Sequence, residues 1–553
     1  MSQVFILPSW AAIWLPYLLL VLAVWLAYWE MVSTLKGPCS DDLQGIFAYD
    51  GRLQRPISVG NIIKKLRYEV GKAPNPNRNW KADKQPAFLP HPVRHHRLNL
   101  IVMSGFIAFL YSFLSRIFGE HLAFFAVLLY VCHPLGTQTV AWMSGINYLI
   151  GAFFALVGLN FAQLSYDLHW LVTPEGTLLC MVVYGLIHWL AVETIFMTLG
   201  TVAILVWLGW YPYAIVAGLL AVYIGIHTFK EAVVLRRNTF RDQAMDACTK
   251  LNQRKIIVVL KSLAYYTRFV CWSKHCGLYA VYGYHYELPY FESEDSFTWW
   301  GVAIVIAFGT AFWFGTPLVQ FAILWYLAYI ILFLNWITAN QMFTERYSWL
   351  PALAPCLILA AYAPVWLYWM ILGIALMRTW AHLDTYNNET QFYLSNLSNF
   401  PNSEIALGNL GVTYLSRGLV GTAVESWLMG TRMNPEYDVN WYNLAQALKS
   451  RGPMNPNYVP LIIEVIPREL ITQAFSDPLR SHIHLARYCL NRAVTARTCH
   501  FKTIWEKELA EMDAILKQPV PATLPAGAVA VVALETSPVA TSSRVVTTVA
   551  NVS

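Results

Sequence analysis

Residues 10–31 read WAAIWLPYLLLVLAVWLAYWEM, with a single charge at Glu30. A run of about 20 apolar residues spans a hydrocarbon core of roughly 30 Å. It is too long for the apolar part of a signal peptide, and no small-residue cleavage site follows it, so it reads as a retained first membrane helix. Ten similar runs follow, at 98–118, 121–134, 147–166, 176–191, 194–210, 211–228, 298–315, 317–337, 346–361 and 363–381. Together they predict an all-α, polytopic membrane protein with about 11 spans.

Composition points the same way. Of the 553 residues, 57% are hydrophobic and 13% charged, about half the charged share of a soluble chain. The 23 Trp, 31 Tyr and 28 Phe often sit near the ends of apolar runs, as interfacial belts do. The run at 256–279 differs, because Lys261, Arg268 and Lys274 interrupt it. Charges so spaced are costly against lipid but suit a helix lying in the interface. The membrane domain is therefore drawn as 1–383, with a long loop at 32–97 and a basic loop plus interfacial helix at 229–297. Loop 32–97 holds 12 Lys/Arg against five Asp/Glu, and residues 230–255 hold seven against three. Six spans separate these loops, so both face the same side. Charge alone would make that side cytoplasmic, but the rule weakens for loops above about 60 residues. The nine cysteines contain no CxxC pair and read as isolated thiols, not a zinc site.

Beyond Met377 the chain turns polar. Within 384–516, Leu410, Gly411, Tyr414, Gly418, Ala423, Trp427 and Pro435 fall at tetratricopeptide positions. At a period of 34 residues Leu407 maps to Trp441, Leu410 to Leu444 and Gly418 to Gly452. One or two such repeats bury too little alone, so flanking helices at 386–399 and 460–516 are expected to cap the stack. Tyr414, Trp427 and Trp441 are the candidate partner-binding residues of this TPR-like domain. Residues 517–553 form a low-complexity Ala/Val/Pro/Thr/Ser-rich tail.

Several constellations can carry chemistry. Asp41 and Asp42 stand together just past the first span. One could act as a general base on a hydroxyl, or both could hold a divalent cation; the alternative is a solvated acidic turn. His133-Pro134 breaks two apolar runs, with Gln138 and Asn147 beyond it. Non-helical backbone at that depth needs protein or a wet cavity around it, so the segment is a packed corner or the wall of a site. Glu193 sits between two apolar runs, where an acid marks either function or a short loop. Glu345 and Arg346 open another run, as site residues or as an ion-pair anchor. His91, His95 and His96 beside Arg94 and Arg97 suit a metal, a phosphate rim or lipid headgroups.

In order, these pieces resemble the transmembrane and tetratricopeptide-repeat-containing (TMTC-type) O-mannosyltransferases of the GT-C class, up to about residue 452. The likeness rests on the Asp41-Asp42 loop, on His96 and Asn99 at the start of the second span, and on His133 to Val140. It continues through Gly145 to Leu149, Val192-Glu193, Glu345-Arg346-Tyr347-Ser348-Trp349-Leu350-Pro351 and Trp380. The resemblance implies a sugar passed from a polyprenyl-phosphate donor to a hydroxyl of an exoplasmic protein, with an Asp of the first loop as base. It implies substrate contacts at His96, Asn99, His133, Gln138, Asn147, Glu193, Glu345 and Arg346, and a repeat domain outside the membrane. Nucleic acid is not an expected partner. Two positions depart from the family pattern: Gln138 replaces a Glu and Asn147 an Arg. Gln cannot take up a proton, and Asn cannot grip a phosphate as a guanidinium does. The chain is thus read either as a transferase or as a catalytically inactive membrane scaffold whose repeats bind partner proteins.

Overall fold

The computed structural model describes residues 9–33, 72–74, 88–90, 92–142, 145–189, 195–236, 255–271, 296–334, 345–399, 403–435, 437–450, 465–476, 480–496 and 502–518. Asp41, Asp42, Glu193 and nearly all of the 517–553 tail lie outside the described residues. The described chain is almost wholly helical and divides into two compact units, Met1–Phe392 and Tyr393–Ser553.

The first unit contains α1 (Ser9–Ala27), α2 (Glu30–Ser33), α3 (Pro92–Phe118), α4 (Glu120–Val131), α5 (Gly136–Ala141), α6 (Ile146–Asp167), α7 (Pro174–Trp189) and α8 (Ile195–Trp207). It continues with α9 (Tyr211–Arg236), α10 (Lys255–Cys271), α11 (Ser296–Phe314), α12 (Pro317–Ile330), α13 (Glu345–Ser348), α14 (Leu353–Tyr362) and α15 (Val365–Leu383). Prolines set several of the starts. Pro174 and Pro317 are first residues and Pro364 precedes α15, where a missing N–H costs nothing.

Each of the 11 apolar runs overlaps a helix. Three described helices are long and apolar enough to cross a membrane: Val93–Phe118, Tyr148–Asp167 and Ser296–Phe314. They differ in surroundings. The apolar windows of the first two are 56% and 61% buried in protein, whereas that of α11 is 11% buried. Trp299, Trp300, Ile306, Trp313 and Phe314 of α11 are all exposed, so the described residues do not supply the apolar surroundings that such a face needs. In α1, Ile13, Leu18, Leu22 and Leu26 are exposed while Leu20, Val24 and Ala27 are buried.

Four features depart from the sequence-based expectation. The 121–134 run is helical only to Val131, because Pro134 follows. The 346–361 run is two helices, α13 and α14, with Pro351 between them. The 32–97 loop contains a short antiparallel ribbon, β1 (Lys72–Pro74) on β2 (Phe88–Pro90), in a fold expected to be all-α. Finally, α10 is not merely laid on a surface. Lys261 is fully buried, as are Val258, Leu263, Tyr266 and Phe269.

Side-chain hydrogen bonds to backbone carbonyls tie the bundle together. Asn160 of α6 donates to Phe109 of α3 at 2.9 Å. From α15, Tyr368 donates to Phe125 at 2.7 Å and Thr379 to Cys132 at 2.8 Å. Trp325 of α12 donates to Leu350 at 2.8 Å. A carbonyl next to a proline break has lost its helical partner, and Thr379 meets that need at Cys132; the Leu350 carbonyl accepts from the Leu353 N–H at 3.2 Å as well as from Trp325.

The second unit has α17 (Glu404–Ser416), α18 (Val420–Met433), α19 (Asp438–Ser450), α20 (Arg468–Ser476), α21 (Ser481–Thr495) and α22 (Lys502–Lys517), after α16 (Glu389–Asn399), which bridges the unit boundary. Ser403 caps α17, its Oγ accepting from the Ala406 N–H at 3.3 Å. α17 and α18 form a helical hairpin, and α19 begins 34 residues after α17. The buried core runs from Trp427 and Leu428 through Trp441, Leu444 and Leu448 to Ile483, Leu490 and Trp505.

Candidate functional site

The His-Pro corner is built from its backbone outward. α4 ends at Val131, Cys132 closes it, and α5 starts at Gly136. A Cβ on Gly136 would lie 2.5 Å from Tyr28 Oη, so only glycine lets the corner press against the end of α1. All of α5, including Thr137, Gln138 and Thr139, is buried.

His133 is locked. Its Nδ1 accepts from the Leu135 N–H at 3.3 Å. The proton is therefore on Nε2, which donates to the Val270 carbonyl of α10 at 3.1 Å. Asn99 of α3 sits beneath the corner and its Nδ2 donates to the Val140 carbonyl at 2.8 Å and the Trp142 carbonyl at 3.4 Å. The Val140 carbonyl lies in the last turn of α5, where carbonyls lack a helical partner, and the Trp142 carbonyl just beyond it also accepts from the Gly145 N–H at 2.9 Å. His96, one turn before Asn99, is buried like its neighbour His95. His95 and His96 of the expected rim are thus turned inward, because the helix face that carries Asn99 also carries His96, while Arg94 and Arg97 stay exposed and His91 lies outside the described residues.

Gln138 and Arg346 meet directly. The Arg346 backbone N–H donates to Gln138 Oε1 at 2.7 Å. The Arg346 guanidinium carbon lies 5.1 Å from the ring centre of Trp142 and 5.3 Å from those of Tyr148 and Tyr347. Three aromatic faces around one cation make a cage worth about 2 kcal/mol or more when water is excluded. Tyr347 is held by stacking on Phe333, centroids 3.7 Å apart. The space left beside Tyr148, Arg346 and Tyr347 is about 10 Å³, roughly what one water needs. Asn147 and Glu345 place their backbones here, in the first turns of α6 and α13. The structure therefore brings Asn99, His133, Gln138 and Arg346 into one neighbourhood, with the backbones of Asn147 and Glu345. Among the described residues no three His, Cys, Asp or Glu side chains gather as metal ligands would.

On the far side of His133 and Pro134 lies a partly open cavity of about 930 Å³. α4, α10, α11, α12, α14 and α15 supply its apolar walls, including Ala311, Ile323 and Ile374, and Arg378 lines it as well. The sequence analysis did not single out Arg378. The signal was there: a lone guanidinium in the last turns of an otherwise apolar run.

In the second unit two of the aromatic residues assigned to partner binding, Trp427 and Trp441, are interior, and for them that assignment is corrected. Trp427 is buried and donates through Nε1 to the Gly408 carbonyl at 2.9 Å. Trp441 is buried and donates to the Pro435 carbonyl at 2.8 Å. Tyr414 is packed against the same core. The large apolar rings of Trp427 and Trp441 hold the hairpins together and offer no face to a partner, whereas Tyr414 is only half-buried. The same unit buries an acid. Glu404 Oε1 accepts from Asn434 Nδ2 at 3.3 Å, and Oε2 has no hydrogen-bond partner among the described residues. Burial pushes its carboxyl up to about 7, against the opposing pull of that hydrogen bond.

Comparisons of the chain with protein-family models, curated proteins and solved structures return no match. The fold itself defines a helical protein with three helices fit to cross a membrane, followed by a second helical unit.

Proposed function

We propose that this chain is a multi-pass membrane protein of GT-C-like layout that acts as a scaffold, binding partner proteins through a TPR-like unit outside the membrane. One observation carries the reading. Arg346, which the resemblance assigns to a charged substrate, is packed inside its own aromatic cage and bonded to Gln138, with about 10 Å³ left over. A site for a sugar phosphate needs space and an exposed cation; among the described residues this corner leaves about 10 Å³ beside a half-buried Arg346 whose guanidinium faces three rings. Gln138 adds no proton-carrying group. The corner then serves as a joint between α3, α5, α6 and α13, and the 11 apolar runs serve as the anchor.

Extraction of native membranes in mild detergent tests this. The scaffold reading expects the chain in a stable, stoichiometric assembly, and loss of the partners when residues 393–516 are deleted while the rest stays membrane-bound. Recovery as a free monomer that moves sugar from a polyprenyl phosphate would overturn it.

A second reading is the transferase, favoured by the cavity of about 930 Å³ beside His133 and Pro134. Its apolar walls suit a polyprenyl chain, with Asp41 or Asp42 as base and Glu193 nearby by resemblance. Replacing both aspartates by Asn would then abolish transfer in reconstituted vesicles; unchanged transfer would remove the aspartates from the mechanism.

A further inference from the structure

Three helices of the first unit carry exposed tryptophans in pairs of nearly constant spacing. Trp14 of α1 and Trp29, just past its end, are 15 residues apart. Trp299 and Trp313 of α11 are 14 apart, as are Trp366 and Trp380 of α15. At a rise of 1.5 Å per residue each pair spans about 21–22 Å along its helix, and any tilt lowers that height. The other exposed tryptophans among the described residues stand within a turn of these rings, as Trp300 and Trp369 do, or in the turn after α6, as Trp170 does. Exposed side chains between the paired rings include Leu18 and Leu22, Val305 and Ile306, and Met370 and Ile374. No Lys, Arg, Asp or Glu lies between the rings of α1 or of α11, and α15 has its one such residue, Arg378, two before Trp380. Trp380 Nε1 donates to the Leu26 carbonyl at 3.3 Å, so the far rings of α1 and α15 stand within about one turn of the same level.

We infer that the first unit is fitted to a thin bilayer: the lipid against α1, α11 and α15 is a phospholipid layer with a hydrocarbon core of about 21–22 Å, where an ordinary core is roughly 30 Å. An indole ring is a large apolar body with one N–H that needs a polar partner. It settles where acyl chains meet headgroups, not at the bilayer centre. One exposed ring says little, but three pairs that agree within one residue, on helices from distant parts of the sequence, set a height. Helix length agrees with it. The apolar helices α8 and α12 have 13 and 14 residues, or about 20–21 Å. The same height reconciles 11 apolar runs with only three described helices long enough for an ordinary core, because shorter helices reach across a thinner layer. A thicker bilayer must either thin around the chain or bury the rings, at a cost that grows with the mismatch.

The inference rests on the membrane placement proposed above, and the two can fail separately. The test reconstitutes the full chain into vesicles of dimyristoleoyl, dioleoyl or dierucoyl phosphatidylcholine, which differ only in chain length and hence in core thickness. Flotation with the vesicles reads insertion, and the thermal midpoint of unfolding reads fit. The midpoint is expected to be highest in dimyristoleoyl vesicles and lower by roughly 5 °C or more in dierucoyl vesicles. A highest midpoint in dioleoyl or dierucoyl vesicles, or equal midpoints in all three, would overturn the thin layer while leaving the membrane placement intact. A chain that floats with none of the vesicles would reject the membrane placement itself. A triple variant, Trp14→Leu with Trp313→Leu and Trp366→Leu, removes one ring of each pair. These rings are exposed, so the helices keep their packing while the marker of the headgroup level is lost. The variant is expected to lose at least half of the midpoint difference between the thinnest and thickest vesicles. A variant with the full native difference would overturn the rings as the markers of the height.

Discussion

The backbone N–H of Arg346 donates to Oε1 of Gln138 across 2.7 Å, joining two segments 208 residues apart in sequence. The bond is buried on the Gln138 side and fixes where α13 starts relative to α5. Gln138→Leu keeps the approximate volume but removes the acceptor. An N–H stranded in the interior costs about 1–3 kcal/mol. The expected outcome is a lower thermal midpoint of the detergent-solubilised chain. Gln138→Glu retains an acceptor oxygen and is expected to fall less; an equal loss in both would remove the hydrogen bond as the cause.

Arg346 adds the aromatic part of the same joint. Arg346→Lys keeps the charge but loses the flat guanidinium that faces Trp142, Tyr148 and Tyr347. A compact, strongly hydrated ammonium fits a three-ring box poorly, so a loss of about 1–2 kcal/mol is expected. Tryptophan quenching by a water-soluble agent checks it, since Trp142 is buried in the closed cage and its exposure is expected to rise when the cage loosens. Unaltered quenching in the Lys variant would mean that the rings, not the cation, hold the corner.

Gly411 makes a sharper steric prediction. A Cβ there would lie 2.3 Å from Trp427 Nε1, whereas one on Gly373 of α15 would meet nothing within 4 Å. Gly411→Ala is therefore expected to destabilise the second unit by about 1–3 kcal/mol through forced repacking of Trp427. Gly373→Ala, also helical, is expected to be neutral or favourable by up to about 1 kcal/mol. Limited proteolysis of the full chain reads both, with cleavage between α17 and α19 accelerated in the first variant alone.

These contrasts mark what the residues declared in advance. Apolar run length located the helices of the first unit, because burial or lipid contact over a dozen or more residues leaves a local signature. The 34-residue period matches the spacing of two helix starts, α17 at Glu404 and α19 at Asp438. The direction of individual side chains was not local information. Trp427 and Trp441 look alike whether they cover a core or a partner, and only the approach of Gly408, Gly411 and Pro435 decides it. His96 could face water or protein, and the rotation of α3 that seats Asn99 under α5 turned it in. Lys261 read as an interfacial charge because nothing in the sequence places α10 inside other elements. The cavity was the least legible feature, as its walls come from six helices and the His-Pro corner, spread between residues 120 and 383.

Glu404 supplies a pH dependence whose sign can be worked out. Its side chain is buried in the second unit with one oxygen on Asn434 and the other without a partner among the described residues. Burial disfavours the charged form and lifts the carboxyl from 4.5 to about 7. Between those two values the folded unit keeps a proton that the unfolded chain has released. Stability is then greatest below about pH 4.5, falls as pH rises toward 7, and levels off above it, with a total change of order 3 kcal/mol at most. The expected result is faster hydrogen exchange in α17 to α19 at pH 8 than at pH 5, after correction for intrinsic rates. Glu404→Gln keeps the donor and acceptor geometry without a titrating proton, so its exchange protection should stay level across that window. A Gln variant with the same pH slope as the native chain would assign the effect to a group other than Glu404, and that group could not be His482, whose burial lowers its own protonation. Protonation of that histidine falls on the acid side, and its contribution runs opposite in sign: stability would rise with pH, the reverse of what Glu404 requires.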